Sequence, residues 1–161
     1  MRAIFIILIG AFFSSAYADD KVSGASQNVA NAKKFMASVL TEPDVAKSLV
    51  ADDFEFVFMG RTRISNIPYD RDSYFSVWLG EVVPSLVPGG FRKLEVVDAM
   101  GDEHGVALVM EGDADGINGL YDNKYVFVFT FSNGKISNLN EYNSDLLVAT
   151  RLYKQKLVAE D

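Results

Sequence analysis

The chain has 161 residues, 49% of them hydrophobic, no cysteine and a formal net charge of −7. That length suits one domain able to bury its own core without disulfide staples. The acidic balance, with no basic stripe to interrupt it, argues against a nucleic-acid partner.

Arg2 is followed by apolar or small residues from Ala3 to Phe13 and then by Ala16-Tyr17-Ala18. Residues 1–18 therefore have the form of a signal peptide with an A-x-A cleavage site. The apolar run is shorter than the about 20 residues that cross hydrocarbon, so cleavage rather than anchoring is expected, with no membrane association afterwards. Losing Arg2 makes the mature chain one unit more negative. Without cysteine there is neither a disulfide nor a lipid-modified thiol, and the expected location is periplasmic or secreted. Residues 19–25 read as a polar, flexible lead-in.

From Gln27 to Leu40 the apolar residues Val29, Ala32, Phe35, Met36, Val39 and Leu40 recur at spacings of three and four, which predicts a helix capped by Ser26. Thr41-Glu42-Pro43-Asp44 has the spacing of a capping box and predicts a short second helix with Val45 and Leu49 inward. Phe54 to Phe58 alternates as a strand, and Arg61 to Pro68 is a loop. Asp70 is placed to cap a third helix carrying Tyr74, Phe75, Val77, Trp78, Leu79 and Val82, which Pro84 should stop. Four strands follow, Phe91 to Met100, Val106 to Glu111, Leu120 to Phe131 and Ile136 to Asn143, separated by Gly, Asp and Asn clusters. Ser144 caps a last helix with Leu147, Val148 and Leu152 inward, ending in a frayed charged tail.

This order predicts an α+β fold in which helices cover one face of a curved, mostly antiparallel sheet. The run from Leu120 is too long to stay flat, because strand twist accumulates along it. Bending over the helices, it would make a cup.

A strand ending near Phe58, a Trp-bearing helix and the closing pattern Tyr121, Asn123, Tyr125, Phe127, Phe129, Phe131, Gly134-Lys135-Ile136, Leu139 and Glu141-Tyr142 resemble the SnoaL-like branch of the nuclear-transport-factor-2-like superfamily. The resemblance runs from about Gln27 to Tyr153 and sets a single domain at residues 26–158. It implies a cone-shaped α+β barrel of the cystatin type, wrapped around N-terminal helices and closed by a C-terminal helix. It also implies a homodimer through the sheet, and a fold shared by polyketide cyclases, ketosteroid isomerases, epoxide hydrolases and members that only bind.

The direction of Glu141 depends on register. A two-residue turn at Asn133-Gly134 sets Phe131 opposite Ile136 and Tyr125 opposite Tyr142, leaving Glu141 on the far side from the aromatic row. A three-residue loop, Ser132-Asn133-Gly134, with a glycine bulge sets Tyr125 opposite Glu141 instead. The resemblance favours the second, since cyclases of this family carry an acid near this place on the last strand.

In that register Glu141 sits in an aromatic cup, where desolvation raises its pKa and suits it to general acid/base work, with Tyr125 as a donor to a developing oxyanion. Tyr74, Trp78, Phe56, Phe58 and Phe127 are expected walls for a small apolar ligand, with Glu111 at the mouth and Asn143 as a further polar group. The only histidine, His104, lies in the expected hairpin tip GDEHG and supports neither a triad nor a metal cluster. Asp113-Ala114-Asp115-Gly116 hints at a calcium loop, but Asn118 stands where Gly is needed and Lys124 where Glu is needed. No metal and no cofactor are expected.

Two departures weaken the family's known activities here. The isomerase set of a tyrosine with two acids and the hydrolase set of an arginine between two aspartates have no residue-by-residue match. Ser144 stands where relatives often carry Asp after the Glu-Tyr pair, and Asp145 comes one later. Two functions fit: an exported pocket protein for a small, mostly apolar molecule, with isomerase-, cyclase- or hydrolase-type acid/base chemistry, or a noncatalytic binding or dimerisation module whose cup is filled by its own rings.

Overall fold

The structure, a computed structural model, describes residues 15–159. The predicted leader lies outside the described residues up to residue 14. Helix α1, Ser15–Ser38, is longer than expected: it includes residues 19–25 and runs through Ser26, which is not its cap. Its inward stripe is as predicted through Ala32, Phe35, Met36 and Val39, but Leu40 lies past the helix end and is 46% exposed.

Helix α2, Pro43–Leu49, has Glu42 rather than Thr41 at its cap position, with no side-chain capping bond. The capping box does not form because Thr41 is occupied by the preceding turn. Its amide donates to the carbonyl of Ser38, and its hydroxyl donates to that of Ala37.

Strand β1, Val50–Phe58, starts four residues before the predicted one, and β2, Pro68–Asp70, forms a short edge within and just beyond the expected loop. Asp70 caps the third helix as predicted, its Oδ1 accepting from the amide of Ser73 at 2.8 Å. That helix begins as an α turn, Arg71–Ser73. It widens to π geometry over Tyr74–Val82, the Val83 N–H donating to the Trp78 carbonyl five residues back, and closes in α geometry over Val83–Leu86. Pro84 does not stop it. The proline sits in the first turn of the restored α segment, where a missing N–H is tolerated.

The meander follows as β3, Phe91–Gly101, β4, Gly105–Gly116, β5, Gly119–Ser132, and β6, Lys135–Tyr142. The sheet order is β2-β1-β6-β5-β4-β3, antiparallel except where β1 runs parallel to β6. It is curved but unclosed, with β2 and β3 at its edges. Ser144 caps the last helix, accepting from the amide of Leu147, and that helix also widens, over Val148–Leu152. Val148 and Leu152 are buried against the sheet.

The hairpin between β5 and β6 combines the two expected registers. Asn133 and Gly134 both have positive φ, 51° and 76°, and Phe131 pairs with Ile136. This is a two-residue turn, with the conformations that suit the twist of its strands. The register then shifts: Thr130 pairs with Asn138 and Phe127 with Glu141. One extra residue, Ser137, bulges from β6. The three-residue loop is therefore absent, and Glu141 faces Phe127 rather than Tyr125. Its side is nevertheless that of the aromatic row, because the bulge changes the parity of everything after it.

The turn makes a prediction. A Cβ at Gly134 meets no neighbour, so Gly134→Ala should register only the cost of left-handed backbone. Chemical denaturation should show a loss of about 1–2 kcal/mol; an unchanged midpoint would contradict the turn.

Candidate functional site

Alternation along β5 sends Tyr121, Asn123, Tyr125, Phe127 and Phe129 to the concave side, all buried. Beside them Leu139 and Glu141 of β6 face the same way. The third helix lays Tyr74 and Trp78 across this surface, and Trp78 packs on Phe56, Phe58 and Tyr69 with ring centroids 4.9, 5.3 and 5.5 Å apart. Tyr125 and Phe127 stack at 5.6 Å.

Between them lies a cavity of about 80 Å³. One water needs at least about 10–15 Å³ measured this way, and an engineered cavity that holds benzene is about 150 Å³. The space suits a small group, and a larger ligand requires side chains to move. Phe58, Tyr74, Trp78, Tyr121, Tyr125, Phe127 and Glu141 form its inner wall, while Leu40, Ile64, Leu79, Phe91 and Leu94 stand at its partly exposed side.

Of the residues expected at the site, Glu141, Tyr125, Tyr74, Trp78, Phe58 and Phe127 are brought together. Phe56 is not on the cavity; it is fully buried behind Trp78. Glu111 is on the opposite face. Met110 points inward, so the next residue points out, and its carboxylate pairs with Lys124 at 3.0 Å and Lys93 at 3.4 Å. Those two ammonium groups, Lys124 first, hold its pKa below the usual carboxylate value. Asn143 does not line the cavity but touches the acid, its Nδ2 donating to Glu141 Oε1 at 3.1 Å.

Glu141 is 9% exposed. Burial pushes its pKa from 4.5 up to about 8, against a smaller pull downward from the Asn143 amide. At neutral pH its carboxyl is mostly protonated, hence a donor. The Tyr125 hydroxyl is also buried; among the described residues it makes no close hydrogen bond, but the Tyr121 hydroxyl is near enough to bond it weakly. Burial raises its pKa well above the ordinary phenol value, and so does the nearby Tyr121. Tyr121 is pushed up to about 12, chiefly by burial.

Two participants lay outside the expectations. Tyr121 shares the parity of Tyr125 and Phe127, a signal available in the sequence; its hydroxyl accepts from Asn123 Nδ2 at 3.0 Å. Gly112, on the neighbouring strand, makes room for Tyr125: a Cβ there would stand 2.9 Å from Tyr125 Cε2. Among the described residues, no group of three or more His, Cys, Asp or Glu could hold a metal ion, and no helix is long and apolar enough to cross a membrane.

No protein-family model and no curated protein matches the chain. Solved structures do. Bal32a from a soil-derived mobile gene cassette is 21% identical, with a TM-score of 0.68 over 80% of this chain and 96% of that one. An NTF2-like protein from Burkholderia xenovorans LB400 is 16% identical, with a TM-score of 0.64 over 80% and 97%. The chain has the nuclear-transport-factor-2-like fold. A protein from Jannaschia sp. CCS1 assigned as a SnoaL-like polyketide cyclase shares this fold at 15% identity, with a TM-score of 0.66 over 91% of this chain and all of that one.

The buried acid of this fold makes stability depend on pH. Below about 4.5 the folded and unfolded chains both hold the Glu141 proton; between 4.5 and about 8 the unfolded chain alone releases it. Stability should therefore fall as pH rises through that window, by at most about 1.4 kcal/mol per pH unit, and level off above it. Subtracting the profile of Glu141→Gln isolates this contribution. A flat difference curve would mean that the carboxyl meets bulk water.

Proposed function

We propose that the chain is an exported SnoaL-like pocket protein that binds a small, mostly apolar, uncharged molecule and performs general acid/base chemistry on it. The observation that carries this reading is the convergence of a mostly protonated Glu141 and the side chain of Tyr125 on one apolar cavity. Glu141 is the proton carrier: the neutral acid delivers its proton to the ligand, and the resulting carboxylate recovers one. Tyr125 donates a hydrogen bond to oxygen on which negative charge develops. Phe58, Tyr74, Trp78 and Phe127 supply apolar walls. Isomerase-, cyclase- and hydrolase-type reactions all fit this pair. The SnoaL-like cyclase assignment of the Jannaschia protein supports the same direction, and the leader-like residues 1–18 support export.

The reading is tested with cyclohexanone, an uncharged ring with one acceptor oxygen. Trp78, the only tryptophan, lines the cavity and reports binding by its fluorescence. Cyclohexanone should bind, Tyr125→Phe should weaken it by about 5- to 10-fold through loss of one hydrogen bond, and cyclohexanecarboxylate should not compete. On a substrate that turns over, Glu141→Gln should retain binding and lose about 10²–10⁴-fold in rate. Turnover that survives this change removes Glu141 from the chemistry.

The small cavity volume favours a second reading, a noncatalytic module whose rings fill most of the cup. Absence of any response to cyclohexanone would support it.

We also propose that the chain is a homodimer through its sheet. On the outer face Val97, Met100, Val126 and Tyr142 are 59%, 56%, 36% and 42% exposed. Val126 pairs directly with Tyr142 and with Val109, so apolar groups continue across neighbouring strands. Sedimentation should give a dimer for the native chain and a monomer for Val126→Glu; a native monomer would count against the interface.

A further inference from the structure

The third helix decides which of its side chains the cavity meets. An α-helix returns to one face about every 3.6 residues, so a face holding Tyr74 and Trp78 would continue through Glu81 and Val82 to Ser85. The observed course differs. With a five-residue step over Tyr74–Val82, the helix presents Tyr74, Trp78, Leu79, Val83 and Leu86 to the cavity. Glu81 and Ser85 are exposed to solvent.

The step thus takes a carboxylate off the wall and puts aliphatic carbon in its place. The consequence is chemical. Among the described residues the cavity wall carries no Lys, Arg or His, and Glu141 is its one carboxyl group. A second carboxylate in the same dry space would repel ionised Glu141, draw in water and favour cationic ligands. Wide helical turns occur frequently at functional sites, and this one packs its inward residues directly on the cavity.

We propose that the five-residue step of the third helix is the specificity determinant of the pocket: it holds Glu81 in water and presents Leu79 and Val83 instead, so that the site selects uncharged ligands. This rests on the pocket reading above, but its test separates the two.

Four variants carry a change of polarity around the helix: Leu79→Glu, Val83→Glu, Ser85→Glu and Glu81→Leu. Each is read by the emission wavelength of Trp78 and by cyclohexanone binding. Leu79→Glu and Val83→Glu should shift emission to the red and weaken binding about tenfold or more, since they bring charge into a dry space. Ser85→Glu and Glu81→Leu should alter binding less than about twofold and leave emission in place, as solvent-facing changes do.

Responses at 81 and 85 in place of 79 and 83, or equal responses at all four, would overturn the proposal. Should a buried glutamate prevent folding, Leu79→Asn and Val83→Thr carry the same test with uncharged groups, and the same positional pattern is required of them. A native chain that ignores cyclohexanone would defeat the pocket reading, whereas the emission pattern would still decide which residues face the cavity.

Discussion

Ile136 and Leu139 both face the core of one sheet, although residues three apart on an uninterrupted strand point to opposite sides. The extra residue Ser137 reconciles them. Near the turn, even-numbered residues of β6 point inward; beyond the bulge, odd-numbered ones do. Glu141 is inward for this reason alone. Without the bulge its carboxyl would stand on the outer face and Tyr142 would enter the core. A one-residue irregularity, 4 positions upstream in the chain numbering, thus determines whether the cup contains an acid.

Everything electrostatic about the site follows from that placement. A carboxyl moved from water into an aromatic enclosure is favoured in its neutral form, and the single Asn143 contact does not offset the burial. The surrounding tyrosines feel the same desolvation, and Glu141 charge would raise Tyr74, Tyr121 and Tyr125 further. The protonated acid and the neutral phenols are therefore compatible neighbours, both able to donate. The wide third helix completes the arrangement by keeping Glu81 in solvent. Backbone irregularities in two elements, one bulge and one widened helix, set the polarity of a cavity whose walls are otherwise ordinary core residues.

Much of this was legible from residue pattern. Period-2 alternation identified the buried row from Tyr121 to Phe129, and side chains able to accept an amide proton identified Asp70 and Ser144 as caps. Other features were written in competition between nearby groups. Thr41 could cap α2 or bond back to Ala37, and geometry chose the second. Residues 106–110, VALVM, are apolar on both faces, so the sequence pattern could not show that Glu111 follows an inward methionine. Phe56 and Phe58 share a parity, yet depth within the sheet separates a residue behind Trp78 from one beside the cavity. Ser137 has no glycine or proline beside it on its strand, and Gly80 within Tyr74–Val82, followed by Pro84, reads in the sequence as the end of an α-helix rather than as a change of period. Both irregularities arise from the packing of whole elements.

The most direct test of the account is the titration of the Glu141 side-chain carboxyl by carbon NMR in the ligand-free native chain. A midpoint near 8, the value to which burial pushes it, is the predicted result. A midpoint at the ordinary value of about 4.5 would place the carboxyl in water and contradict the central claim.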